Sequence, residues 1–108
     1  MITQAFIDTI NEQTKHPLGT VHDINFVSPD TDEFMFDTMF GPVSAGERFV
    51  LIQPNFIMAH IVAEAGCFQS VSEARKNGWN KPIPTGLTNF VVGKKKIKIW
   101  TFIEQKGS

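Results

Sequence analysis

A single small α+β domain is what this sequence predicts, on three observations. The chain has 108 residues, 42% hydrophobic and 19% charged, which is enough to bury one core and far from the composition of a disordered polymer. Apolar residues recur at helical spacing in some stretches and alternate as in strands in others. Gly and Pro punctuate the junctions between these stretches.

Taken in order, Ile2, Phe6, Ile7 and Ile10 make residues 3–14 an amphipathic helix. His16-Pro17-Leu18-Gly19 ends it, because a residue before proline avoids the α region. Residues 21–27 are a strand weakened by Asp23 and Asn25, and Ser28-Pro29-Asp30-Thr31-Asp32 is a polar turn. Residues 34–40 (FMFDTMF) are apolar and read equally as strand or short helix. The β-prone run 49–53 is a buried strand. Residues 56–65 form a helix apolar nearly all round, hence buried, with Gly66 as its C′ residue. Ser70-Val71-Ser72-Glu73 is a capping box opening a short helix, 71–77, that Gly78 ends. Residues 89–92 and 96–103 are two strands joined around Gly93-Lys94-Lys95. The last alternates, with Ile97, Ile99, Thr101 and Ile103 on one face and Lys96, Lys98, Trp100 and Phe102 on the other. The expected architecture is an N-terminal helix and a helix pair (56–65, 71–77) on a small, mostly antiparallel sheet that ends in a basic hairpin.

The formal net charge of −1 conceals a division of the domain into an acidic half and a basic half. Residues 1–54 hold two basic and eight acidic side chains; residues 55–108 hold eight basic and three acidic ones. Such asymmetry suits a polyanion on one face and a second partner on the other, unless the halves neutralise each other internally. One cysteine excludes an internal disulfide framework and a cysteine-rich zinc site. No apolar run approaches membrane-spanning length, so no membrane partner is expected. No signal peptide is visible, which makes the cytoplasm the expected compartment.

Residues 56–103 run helix, Gly, capped helix, Gly, basic hairpin. Val62-Ala63-Glu64-Ala65-Gly66, Ser70-Val71-Ser72-Glu73-Ala74-Arg75-Lys76, Gly78 and Phe90-Val91-Val92-Gly93-Lys94-Lys95-Lys96-Ile97 carry a resemblance to the S4-type RNA-binding module, in its variant at the C-terminus of bacterial tyrosyl-tRNA synthetases. The chain departs from that pattern in a shorter second helix and in Trp79–Pro84, where the family has a valine-rich strand with Asn-Gly. The resemblance covers about half of the chain and implies recognition of structured RNA by shape and phosphate contact. The residue types agree with it: Arg75, Lys76, Lys81, Lys94, Lys95, Lys96 and Lys98 would neutralise phosphates and release counterions, and Trp79 and Trp100 could stack on unpaired bases. Ser70 could reach a phosphate in addition to capping its helix. The same residues have ordinary duties too: lysines guard a sheet edge, tryptophans fill a subcore, and Arg75 pairs with Glu73 or Glu64.

No catalytic arrangement is legible. His16, His22 and His60 are scattered, and His60 and Cys67 lack zinc-ligand spacing. Asp30, Asp32 and Glu33 lack the rest of a calcium loop and read as turn and cap residues. No glycine-rich phosphate loop is present. The expectation is a non-catalytic protein with no cofactor and no metal. The competing expectation is a protein-interaction or inhibitor module of viral or accessory type. It would engage a basic protein surface through Asp30, Asp32, Glu33 and Asp37 set around Phe34 and Phe36.

Overall fold

The computed structural model describes residues 1–15, 21–92 and 97–103. The predicted helix stop at 16–19 and the hairpin residues 93–96 lie outside these. Helix α1 (Gln4–Thr14) starts at Thr3, whose side chain accepts from the Phe6 N–H. Strand β1 (Asp23–Val27) follows, then helix α2 (Glu33–Phe40), capped by Asp32 Oδ1 accepting from the Met35 N–H at 2.7 Å. Strand β2 is Glu47–Leu51. Helix α3 (Met58–Glu64) leads to the four-residue helix α4 (Val71–Ala74), which loosens into a wide turn over Arg75–Trp79. Strands β3 (Gly86–Phe90) and β4 (Lys98–Ile103) complete the chain.

These elements make an α+β domain, as expected, around one four-stranded sheet of order β2-β1-β4-β3. The sheet is mixed, and the expectation of a mostly antiparallel one is corrected. β1 runs parallel to both β2 and β4, and only β3 and β4 pair antiparallel. The reason lies in residues 34–40, the stretch the sequence leaves undecided. Because they form a helix, they carry the chain back along the sheet, so β2 starts at the same end as β1. The second helix also stops earlier than the predicted 71–77. Asn77 (φ −100°) and Gly78 (φ +92°) leave helical geometry, and Gly78 takes a backbone that a side chain would strain.

Register assigns each face its cover. Ile24, Phe26 and Ile99 face α3 and pack with Ile52, Met58, Ile61 and Ala65. Val27 and Phe49 face the other way, against Ile2 and Ile7 of the N-terminal segment and Phe36 of α2. Helices therefore cover both faces, which explains why both sides of β4 are apolar: Ile99 and Thr101 are buried on one, Phe102 on the other. Thr101 and Thr88 share a hydrogen bond across the β3–β4 pair.

Two details secure the frame. Gly46 (φ +93°) donates its N–H to the Thr14 carbonyl and accepts from the His22 N–H, both at 2.9 Å, joining the end of α1 to the starts of β1 and β2. A Cβ there would sit 2.4 Å from the His22 ring. On the outer edge of β2, the Asn11 amide of α1 binds both backbone groups of Phe49. Its Nδ2 donates to the Phe49 carbonyl at 2.9 Å, and its Oδ1 accepts from the Phe49 N–H at 2.7 Å. Gln53 Nε2 donates to the Leu51 carbonyl at 3.3 Å.

Candidate nucleic-acid interface

The sheet order separates the two halves of the sequence. β2 and β1 come from the acidic half and β4 and β3 from the basic half, so the boundary is the β1–β4 seam. Among the described residues one ion pair, Arg48 to Glu64 at 3.1 Å, joins the halves, and it joins them with the minority signs. It occupies one of only two cations of the acidic half and one of three acids of the basic half. As a half-exposed pair it stabilises little. Its electrostatic effect is to leave each half more uniformly charged.

Among the described residues, no ion pair joins a carboxylate to Arg75, Lys76, Lys81 or Lys98, and all four are exposed. The alternative duty of Arg75, a surface pair with Glu73 or Glu64, is not met among the described residues; Glu64 pairs with Arg48 instead. Arg75 and Lys76 stand on the wide turn after α4. Lys81 lies with its Nζ 5.1 Å from the Trp79 ring, and Lys98 with its Nζ 5.3 Å from the Trp100 ring. These contacts hold the ammonium groups over aromatic faces without neutralising them.

Trp79 is half-buried, packed on the α3 side of the sheet and stacked on Phe90 at 5.7 Å. It borders a cavity of about 330 Å³ that Met58, Pro82, Pro84 and Thr88 also line. Its subcore duty is thus real, and a base reaching it would have to displace Lys81. The Lys81 carbonyl accepts from the Met58 N–H, which ties this loop to the start of α3. Lys98 and Trp100 project from the opposite face of β4, by alternation. The structure therefore places the described basic candidates on both sides of the β3–β4 hairpin, not in one row. Lys94, Lys95 and Lys96 lie outside the described residues. Ser70 caps α4, accepting from the Glu73 N–H at 3.1 Å.

The acidic candidates divide. Phe34 is 80% exposed on α2, with Glu33 and Asp37 exposed on the same helix, while Asp32 caps it and Asp30 is exposed in the turn before it. Phe36 is 1% exposed and belongs to the core, which corrects its place in an interface. Residues 28–30 line a cleft where β1, β2 and β4 end. That position receives phosphates in many open sheets, but Asp30 in its lining repels an anion, and no glycine loop offers N–H groups.

His60 caps α3, its Nδ1 accepting from the Ile57 N–H at 3.0 Å while its ring stacks on Phe56. Among the described residues no cluster of three or more His, Cys, Asp or Glu could hold a metal ion, and no helix is long and apolar enough to cross a membrane. His22 is exposed, with Nδ1 3.4 Å from Asp23 Oδ1 and Nε2 3.1 Å from the Ala45 carbonyl. The Asp23 hydrogen bond, then the Ala45 carbonyl, raise its pKa above the usual histidine value. A raised pKa means that the protonated ring stabilises the fold. That contribution is complete below the unfolded value, near 6.5, and is lost as pH rises through the folded one. Chemical denaturation at about pH 5.5 and about pH 8 should show a small extra stability at the lower pH relative to His22→Gln, with the two chains converging at the higher.

Nothing in the sequence marks Asn11 as the residue that closes the outer edge of β2, and Asn25 stands out there only as a weak point of its strand. Asn25 is 2% exposed in the middle of β1 and lines a pocket with Asp23, Glu47 and Trp100. The one available signal was an amide inside an otherwise β-prone run. Comparison with protein-family models, with curated protein sequences and with solved structures finds no match for this chain.

Proposed function

We propose that the protein is a small non-catalytic RNA-binding module that contacts phosphates through Arg75, Lys76, Lys81, Lys98 and the lysines of the β3–β4 hairpin. The observation that carries the reading is the uncompensated charge of the C-terminal half. The described cations of that surface have no carboxylate partner, while its Glu64 is taken by Arg48. The S4-type resemblance of residues 56–103 points the same way. Structured RNA is the partner and no cofactor is needed. The test is an anisotropy titration of a structured RNA at roughly 50 and 200 mM salt. Affinity should fall at least tenfold with salt. It should fall at least tenfold again at the lower salt for Arg75→Ala/Lys76→Ala/Lys81→Ala, and likewise for Lys94→Ala/Lys95→Ala/Lys96→Ala. No binding by folded wild-type protein, or variants that bind like it, would refute the reading.

A second reading is favoured by one observation, the exposed Phe34 among Glu33 and Asp37. There α2 engages a basic protein surface, and Phe34→Ala would abolish that contact while leaving the RNA titration unchanged.

A further inference from the structure

Phe34 is the most exposed large apolar side chain among the described residues, at 80%. Asp37 lies one turn further along the same face of α2 and Glu33 stands beside it, and among the described residues neither is paired with a cation. On its own an exposed ring asks for no explanation. This one gains a meaning from a receptacle of matching shape and opposite sign elsewhere on the same molecule. The cavity of about 330 Å³ beside β3 is walled by Met58, Trp79, Pro82, Pro84 and Phe90. A cavity of about 150 Å³ already holds a benzene ring, so a phenyl side chain enters this one without rearrangement. Trp79 and Phe90, stacked on each other, offer it aromatic surface. The charge at the cavity is Lys81, which has no carboxylate partner among the described residues.

We infer that the partner of α2 is a second copy of this chain: Phe34 of one copy fills the Trp79 cavity of the next, and Glu33 and Asp37 face its Lys81. The inference rests on the second reading of function, in which α2 engages a basic protein surface, and names that surface. Complementarity holds beyond the contact itself, because α2 belongs to the half with two basic and eight acidic side chains and the cavity to the half with eight basic and three acidic ones. The fold also dictates how the copies are related. α2 packs with Phe36 on the sheet face of Val27 and Phe49, whereas the cavity lies on the α3 face, at the β3 edge. Ring and cavity thus point away from each other. Two copies cannot exchange both contacts about a twofold axis, so each uses its ring on one neighbour and its cavity on another, head to tail. One ring and a few charges make a small contact, so the association is weak and salt-sensitive.

The test is sedimentation of the full chain up to about 1 mM, which reaches weak contacts, at roughly 50 and 500 mM salt. At the lower salt the average mass should climb past that of two copies as concentration rises. At the higher salt the wild type should stay monomeric, and self-association through a sheet edge is read there, apart from this contact. Phe34→Ala and Lys81→Glu, both at exposed positions, should melt like wild type and associate at least tenfold more weakly; Pro84→Glu at the cavity rim is the second cavity variant. Mixing Phe34→Ala with Lys81→Glu restores one intact contact, so the mixture should form pairs and stop there. With Phe34→Ala isotope-labelled, unlabelled Lys81→Glu should shift its Trp79 indole resonance saturably and leave that of Trp100 in place. A wild type of constant mass at the lower salt, association unchanged in the variants, a mixture that stays monomeric, or an unmoved Trp79 indole would each overturn the inference. A lysine-rich peptide separates this from the reading beneath it. If it shifts Phe34 and its neighbours while the wild type stays monomeric, α2 remains an interface for basic surfaces and the second copy is not its partner.

Discussion

Phe36→Ala should cost about 3–5 kcal/mol and bring the domain close to unfolding, whereas Phe34→Ala, two residues away on the same helix, should change stability by less than about 0.5 kcal/mol. Phe36 is buried in contact with three other rings. Phe6 meets it edge-on at 5.2 Å, and Phe40 and Phe49 pack tilted at 5.4 and 5.3 Å. Removing the ring leaves a cavity in the layer between α1, α2 and the sheet, which these rigid neighbours can fill only in part. Phe34 has most of its surface in water and little packing to lose. Urea unfolding of both variants checks the contrast. Equal losses would mean that α2 is rotated relative to the arrangement described.

The second large effect is expected at Asn11→Ala, about 1–3 kcal/mol together with a tendency to self-associate. The Asn11 amide occupies the Phe49 N–H and carbonyl on the outer edge of β2. Truncation leaves both without a protein partner and uncovers a strand edge of the kind that pairs with another chain. Denaturant unfolding should show the loss, and light scattering should show mass rising with concentration in the variant but not in the wild type. Unchanged stability and a constant mass would mean that water or a neighbouring side chain replaces the amide.

Much of the frame was legible because it rests on local signals. The spacing of Ile2, Phe6, Ile7 and Ile10 locates α1, Ser70 and Asp32 cap their helices as their side chains dictate, and alternation locates β4. Topology was not legible. Residues 34–40 satisfy helix and strand patterns alike, and the direction of β2 depends entirely on which they adopt. Phe34 and Phe36 are indistinguishable in sequence, because only the rotation of a helix about its axis decides which one meets the sheet. Asn11 and Asn25 escaped for a related reason. Their partners, or the lack of them, come from elements far away in sequence, and an isolated polar residue announces neither. The basic surface was legible as composition, but its division across the two sides of the hairpin follows from strand alternation and sheet order together.

The Arg48–Glu64 pair bears on how the molecule would move before it touches anything. With a formal charge of −1, the protein has almost no monopole, so a nucleic acid exerts scarcely any net pull on it from afar. What remains is a dipole across the β1–β4 seam, enlarged because that pair removes one charge of the wrong sign from each pole. A dipole in a field feels a torque before it feels attraction, and salt confines that field to roughly 8–10 Å. In the field of a polyanion the domain would therefore turn before it is drawn in, with the β3–β4 side of the sheet leading and the β2 side trailing.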